Sequence, residues 1–154
     1  TAALALSIYR QKEILKENFL PVLAGCLAGS CASVGSTLAL CRFFGLDEAL
    51  TTSLLPKSVT TPIAVELSAQ GGGIAAVTIV VVIFTGIAGA ALGPGLLRLA
   101  GITDPMAQGV AVGTASHGIG TARALELGKV QGAMSGVAIG VAGIITVLLV
   151  TFLR

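Results

Sequence analysis

Long apolar runs alternate with short polar interruptions along most of this chain. Residues 19–41, 74–97 and 132–153 form three runs of hydrophobic and small residues, and each is close to the ~20 residues that a helix needs to cross a bilayer. Two further runs, 49–70 and 104–130, contain proline, glycine, hydroxyl and charged residues near their centres. The pattern predicts an all-α, polytopic transmembrane helical bundle with three full spans and two broken (discontinuous) helix segments.

The two broken segments are interrupted by different residues. Pro56 and Pro62 flank Lys57 in the first segment, whereas the second contains the glycine-rich run 113–121 (GTASHGIGT). Proline ends or kinks a helix and pushes the preceding residue toward extended geometry, so we expect non-helical backbone at the first break. The sequence leaves open whether each segment crosses the membrane or turns back halfway.

The broken segments also resemble one another, which predicts an internal repeat. The matching stretches are 61–68 (TPIAVELS) with 121–128 (TARALELG), and 42–46 (RFFGL) with 98–102 (RLAGI). We predict one membrane domain over 1–154, with repeat units at about 19–73 and 74–133 and a final span at 132–153. Residues 1–7 weakly echo the same motif, so we expect further spans before Thr1, as in a chain truncated at its N-terminus. Arg10, Lys12 and Lys16 lie in one predicted loop and favour a cytoplasmic location for it.

Composition excludes several classes of protein. The chain is 55% hydrophobic and 10% charged, with a mean hydropathy of +0.99, whereas a soluble domain averages roughly 25% charged residues. A net charge of +2 without a basic cluster excludes nucleic acid as a partner. Three cysteines fit no zinc pattern or disulfide framework. We find no nucleophile elbow, phosphate loop or HExxH motif, so we expect neither catalysis nor a cofactor nor a metal.

The two breaks carry the candidate substrate-binding groups. The N-terminus of a half-helix attracts anions, and non-helical backbone at membrane depth must line a cavity or be buried in protein. Thr60 or Thr61 is placed to cap a half-helix at the first break, where Lys57 adds a full positive charge, and residues 116–121 are placed to cap another. We therefore predict a small, electropositive, hydroxyl-lined pocket for a short carboxylate. Its candidate residues are Lys57, Ser58, Thr60, Thr61, Thr114, Ser116, His117, Gly118, Gly120 and Thr121.

Three ionisable residues are candidates for proton coupling, and each has a plainer alternative. His117 lies in a glycine-rich break and is a candidate for carrying the proton, but a lone histidine is often a buried, hydrogen-bonded residue. Glu66 and Glu126 occupy equivalent positions in the two units; alternatively they lie at interfacial helix ends and pair with basic residues such as Arg123. Lys57 has an alternative too, as a lysine that snorkels to the membrane interface.

The longest motifs resemble one family of membrane proteins. Residues 55–64 (LPKSVTTPIA) and 113–126 (GTASHGIGTARALE) are similar to the LrgB/CidB family, as are 44–48 (FGLDE) and 131–136 (QGAMSG). The resemblance covers essentially the whole chain and implies a multi-pass protein of the bacterial inner (plasma) membrane. Bacterial members are described as antiholin-like modulators of murein hydrolase activity and autolysis that act beside a smaller LrgA/CidA-type partner. A plant relative is a chloroplast glycolate/glycerate translocator, and some bacterial members are linked to pyruvate uptake.

Two functions therefore follow from the sequence. The first is a carrier in the lipid bilayer for a small organic anion, a monocarboxylate such as glycolate, glycerate or pyruvate. The second is a holin-like regulator of autolysis, for which small-xxx-small faces such as Gly25 and Gly29 predict a homo-oligomer. The carrier hypothesis gains most support if Lys57 and His117 lie close to one cavity.

Overall fold

The structure, a computed structural model, describes residues 16–153, which form six α-helices. They are α1 (Phe19–Phe43), α2 (Glu48–Leu54), α3 (Thr61–Gln70), α4 (Ala75–Leu99), α5 (Pro105–Leu127) and α6 (Lys129–Phe152). The predictions made for residues 1–15, namely the repeat remnant at 1–7 and the basic residues Arg10 and Lys12, lie outside the described residues.

Three of these helices are long and apolar enough to cross a membrane: α1, α4 and α6. They coincide with the three predicted spans. The predicted breaks are also confirmed, since α2 and α3 are separate helices of 7 and 10 residues and α5 contains non-helical backbone at Ser116 and His117. The all-α class with two discontinuous segments is therefore confirmed for the described residues.

The turns after α1 and α4 have the same geometry. Gly45 and Gly101 have φ values of 65° and 68°, a region that favours glycine because it has no Cβ. The amide of the residue after each glycine donates a hydrogen bond to a carbonyl in the last helical turn. These bonds are Leu46 N to Cys41 O and Ile102 N to Leu97 O, and they form the Schellman pattern.

The helix that follows each of these turns begins with the same cap. Asp47 accepts a hydrogen bond from Leu50 N, and Asp104 accepts one from Ala107 N, both at 2.7 Å. An aspartate at this position satisfies an amide that the first helical turn leaves without a partner. The two stretches matched in sequence thus share a helix stop and a helix start.

The second broken segment turns back on itself. Thr121 Oγ1 lies 2.6 Å from Ser135 Oγ, and a Cβ at Gly113 would overlap Ser135 as well. A straight helix would separate residues 113 and 121 by about 12 Å, yet both contact one residue of α6. Likewise, Gly109 packs on Gln131 and Leu125 packs on Gly132. We call residues 105–127 the second hairpin, with its tip at Ser116 and His117.

The first broken segment also turns back. Ser53 Oγ accepts a hydrogen bond from Ile74 N at 2.7 Å, and Ser68 Oγ accepts one from Thr78 Oγ1 at 2.8 Å. A straight passage from Ser53 to Ser68 would cover about 22 Å, but their partners are one turn apart on α4. We call residues 48–70 the first hairpin, with its tip at 55–60.

The two hairpins enter the bundle from opposite ends. Gly25 and Gly29 of α1 pack on Val110 and Thr114 of α5, so α1 runs parallel to the first half of α5. Conversely, Gly89 packs on Ser116 and Gly93 on Val112, so α4 runs antiparallel to the first half of α5. The end of the bundle where α1 and α6 begin and α4 ends is here the proximal face; the opposite end is the distal face. The first hairpin is rooted at the distal face and the second at the proximal face.

This arrangement answers the question that the sequence left open. Both broken segments are re-entrant, and the stretches 19–73 and 74–128 run in opposite directions. Inverted units of this kind are common in secondary transporters, where they place discontinuous helices at the bilayer midplane. That the two units descend from one duplicated sequence stays a prediction.

Candidate functional site

The tips of the two hairpins meet at Val82, near the middle of α4. The Val82 side chain lies in one buried cluster with Val59 and Ala64 of the first hairpin. Its carbonyl oxygen accepts a hydrogen bond from His117 Nε2 of the second hairpin at 2.9 Å. Because a carbonyl only accepts, His117 carries its hydrogen on Nε2. The two interruptions of the helical pattern are therefore neighbours at mid-depth.

The first tip presents Lys57 toward α1. Lys57 Nζ donates to Ser33 Oγ at 3.1 Å, and Ser33 Oγ is 2.7 Å from Ser58 Oγ. Ser33 lies within a transmembrane span, close to its middle. The ammonium is half-buried and has three hydrogens, so the bond to Ser33 leaves donors for another acceptor.

A cavity of about 770 Å³ lies between α1 and the first half of α5. It extends from Pro21 and Asp104 near the proximal face to Ser36 and Lys57 at mid-depth. The cavity residues that carry polar side chains are Ser33, Ser36, Lys57, Asp104 and Thr114. Its remaining walls are mostly alanine, glycine and aliphatic side chains. The site is thus larger and more apolar than the small, hydroxyl-lined pocket that we predicted.

The second tip is buried rather than open to this cavity, so Lys57 and His117 do not line one pocket, contrary to the prediction. His117 is 4% exposed and has φ 42° and ψ −137°, a region that residues with a side chain rarely adopt. Gly86 and Gly89 of α4 make room for it: a Cβ at Gly86 would come within 2.8 Å of His117 Cε1, and one at Gly89 would overlap Ser116. The glycines of α4 therefore accommodate the tip of the second hairpin.

The hydroxyl groups near the breaks do not cap the half-helices as predicted. Thr60 is the N-cap of α3, but its side chain makes no capping hydrogen bond. Ser116 Oγ donates to Val112 O at 2.7 Å, and Thr121 Oγ1 donates to His117 O at 2.8 Å. Both bonds run back four residues along the chain, as serine and threonine side chains commonly do in helices. Capping by these side chains was therefore a wrong expectation.

The candidate residues divide into three groups. Lys57 and Thr114 line the large cavity. Ser116 lines a second cavity of about 450 Å³ between α4 and α5, and that cavity shares Ala111 and Ala115 with the first. The other candidates lie at neither cavity; among them Ser58, His117, Gly120 and Thr121 are buried, Thr60 and Thr61 are half-buried and Gly118 is exposed.

Glu66 and Glu126 lie on exposed helix surfaces, away from the tips. Glu66 Oε1 accepts a hydrogen bond from Gln70 Nε2 at 2.9 Å. Glu126 forms an ion pair with Arg123, which is the pairing that the sequence offered as the alternative to proton coupling. Neither carboxylate faces Lys57 or His117, so these glutamates are not part of the cluster at mid-depth.

Sequence reasoning missed Ser33 and Ser135. Both lie in apolar spans, where a serine is easily read as a small packing residue. A signal was nevertheless present on α1: Ser36 and Thr37 follow Ser33 by one helical turn, and both donate to its carbonyl oxygen, at 3.1 and 2.7 Å. Three hydroxyl residues on adjacent turns of one span mark a polar patch inside the membrane.

A metal site is not formed by the part of the chain that the structure describes. No group of three histidine, cysteine, aspartate or glutamate side chains there is arranged to hold an ion. The polar groups of the large cavity are the Lys57 ammonium, the Asp104 carboxylate and the hydroxyls of Ser33, Ser36 and Thr114.

Three apolar spans and two opposed re-entrant hairpins define a polytopic α-helical membrane protein. The model of the LrgB-like family matches residues 1–154, and the chain belongs to this family. It is 42% identical over 135 residues to the uncharacterized protein YxaC of Bacillus subtilis, an alignment that covers 88% of the chain and 59% of the relative. It is 39% identical to YwbG of the same organism, with 99% of the chain and 68% of the relative covered.

A third relative carries a functional name. The antiholin-like protein LrgB of Bacillus subtilis is 37% identical over 150 residues, or 97% of the chain and 65% of that protein. The chain thus spans about two thirds or less of the length of these curated relatives. No solved structure matches the chain significantly.

Proposed function

We propose that this chain forms the substrate-binding part of a carrier for small monocarboxylates, of the glycolate, glycerate or pyruvate type. The observation that supports it best is the meeting of two oppositely rooted hairpins at Val82, beside a cavity that contains Lys57. In secondary transporters, discontinuous helices meet at the midplane and their ends bind the substrate.

The charge distribution in the cavity favours an ion with a single negative charge. Lys57 is the one cation that lines the cavity among the described residues, and Asp104 contributes a negative charge nearer the proximal face. An anion in a low-dielectric cavity is costly unless a cation or hydrogen bonds compensate it. One ammonium compensates one carboxylate, while the apolar walls accommodate a short carbon chain.

The proximal face is the cytoplasmic one in this proposal. Among residues 16–153 the basic residues near the proximal face are Lys16, Arg98, Arg123 and Lys129, whereas Arg42 lies near the distal face. Cytoplasmic loops carry an excess of lysine and arginine. Because the relatives named here are bacterial, we place the protein in the bacterial inner membrane.

The test is uptake of radiolabelled glycolate, glycerate and pyruvate into proteoliposomes. Lys57→Ala is expected to reduce uptake to the level of empty vesicles, because the carboxylate loses its counter-charge. Lys129→Ala removes an exposed lysine at the proximal end of α6 and should leave uptake within about twofold. Failure of a folded protein to move any of the three anions would contradict the carrier function.

A second candidate function rests on the relatives named antiholin-like. In this alternative the protein modulates murein hydrolase activity and autolysis together with an LrgA/CidA-type membrane partner or as a homo-oligomer. It predicts a lysis phenotype that is insensitive to Lys57→Ala. If the autolysis phenotype and carboxylate uptake are lost together in that variant, altered carboxylate flux is the cause of the phenotype and both descriptions hold.

A further inference from the structure

The polar contact that joins the first hairpin to α1 depends on one side chain, Ser33. It accepts a hydrogen bond from Lys57 Nζ at 3.1 Å and lies 2.7 Å from Ser58 Oγ. These contacts hold two consecutive residues of the tip against the middle of a transmembrane span. The other contacts of this tip, such as that of Val59 with Val82, are apolar.

The same side chain lines the cavity beside the ammonium. Ser33, Ser36 and Lys57 are all cavity residues, but the Ser36 hydroxyl donates to the backbone carbonyl of Ser33. Because Ser33 and Lys57 line the same cavity, an anion beside the ammonium would also lie beside the Ser33 hydroxyl. A carboxylate is the stronger acceptor for an ammonium, because charge-assisted hydrogen bonds are about twice as strong as those to a neutral oxygen.

We propose that Ser33 is a positioning residue that latches the first hairpin to α1, and that a bound carboxylate replaces it as the acceptor of Lys57. This inference rests on the proposed function, because it assigns the event that couples anion binding to movement of the hairpin. The cavity reaches Lys57 from the proximal side, and the first hairpin is rooted at the distal face. Release of the latch frees the hairpin that separates Lys57 from the distal face.

The tip of the second hairpin is held by contacts that lie away from the large cavity. It packs against Gly86 and Gly89, His117 Nε2 donates to Val82 O, and Thr121 forms a hydrogen bond with Ser135. None of these side chains lines the large cavity. An anion beside Lys57 thus competes with a contact of the first hairpin and leaves the contacts of the second in place.

The experiment follows the accessibility of a buried cysteine at the first tip. Val59 is 3% exposed, so Val59→Cys reacts with a membrane-impermeant maleimide applied to the distal side of proteoliposomes only when the tip leaves Val82. Labelling of the unsubstituted protein, which retains Cys26, Cys31 and Cys41, is subtracted. Each further variant is made in the Val59→Cys protein, here called the parent. If Val59→Cys does not fold, Thr60→Cys, half-buried at the same tip, serves as the reporter.

Ser33→Ala is expected to raise the labelling rate about tenfold without any anion, the effect of one lost hydrogen bond to a charged group. Glycolate should raise the rate in the parent but have little effect in Ser33→Ala, whose latch is already open. Ser33→Thr keeps the hydroxyl and should restore the parent's rate. The matched control is Ser30→Ala, since the buried Ser30 hydroxyl on the same helix has no hydrogen-bond partner among residues 16–153.

An unchanged rate in a folded Ser33→Ala variant would overturn the latch, and so would an equal rise in Ser30→Ala. A rate in the parent that does not respond to glycolate would overturn the exchange of acceptors. Uptake measured on the same vesicles separates this inference from the proposed function. If Ser33→Ala leaves the labelling rate unchanged while the parent takes up the anion normally, the latch is refuted and the carrier function stands. If Ser33→Ala raises the labelling rate but no anion is taken up, the carrier function is refuted and the latch stands.

Discussion

The two hairpin tips occupy equivalent places in the fold but are held in different ways. The first tip spans six residues, 55–60, and is attached to α1 by hydrogen bonds between side chains. The second spans two residues, Ser116 and His117, and is enclosed by glycines of α4 and by Ser135 of α6. The hydrogen bonds of the first tip involve cavity residues that a ligand can reach, whereas those of His117 and Thr121 are buried away from the large cavity. We infer that the first tip is the mobile element and the second the rigid one.

The largest effect is expected where the second hairpin packs on α6. A Cβ at Gly113 would lie 2.9 Å from the Ala138 Cβ and would overlap backbone atoms of Ser135. Gly113→Ala should therefore lower the free energy of unfolding by about 1–3 kcal/mol, as overpacking commonly does. Gly140→Ala, on α6 with nothing near its added Cβ, is the control and should cause no loss. Thermal unfolding in detergent measures both, and equal stabilities would show that this contact is not tight.

The His117 side chain is expected to have a smaller effect. His117→Ala removes the hydrogen bond to Val82 O and leaves a void against Gly86, which should cost about 1–2 kcal/mol of stability. His117→Gln provides an amide donor in place of Nε2 and should recover part of that loss. If His117 also couples protons to transport, the Gln variant will flatten the pH dependence of uptake; an unaltered pH profile would contradict proton coupling at this residue.

At the first tip, stability and function should separate. Lys57→Met removes a half-buried ammonium but retains an aliphatic chain of similar length, so it should change stability by no more than about 1 kcal/mol. The same variant should lose uptake completely. Thermal unfolding and uptake are measured on the same preparation of each variant. Lys57→Met should lose uptake and keep its stability, whereas His117→Ala should lose stability. A loss of stability as large as that of His117→Ala would mean that the two tips are held alike.

The smallest effects are expected at the exposed carboxylates. Glu126 and Arg123 are 64% and 46% exposed, and exposed ion pairs contribute little to stability. Glu66→Gln and Glu126→Gln should each change stability by less than about 0.5 kcal/mol and leave the pH profile of uptake unchanged. A shifted profile in either variant would return that glutamate to the list of proton-coupling residues.

The sequence predicted the spans and the breaks because both are local features. Apolar length decides where a helix can cross a membrane, and the two prolines of the first segment and the glycines of the second interrupt it. Inversion of the two units could not be predicted in this way. Whether a broken helix crosses or returns depends on tertiary contacts, such as those of Gly113 and Thr121 with the same residue of α6.

Only the part of the candidate site that depends on local sequence features was predicted. Lys57 was identifiable because a charge in an apolar sequence is costly and conspicuous. Ser33 was not, because a serine is common in transmembrane helices and its importance lies in its distance from Lys57. The burial of His117 likewise depends on Gly86 and Gly89, which are distant in sequence and close in space.

The opposed, re-entrant course of the two hairpins is tested most directly by cysteine accessibility in sealed, oriented vesicles. Glu48 and Gln70 are the two ends of the first hairpin, and Thr103 and Lys129 lie just outside the two ends of the second. All four positions are exposed, and each is replaced by cysteine in turn. We predict that an impermeant maleimide labels Glu48→Cys and Gln70→Cys from one side and Thr103→Cys and Lys129→Cys from the other. Labelling of Glu48→Cys and Gln70→Cys from opposite sides would show that the first segment crosses the membrane and would contradict the account.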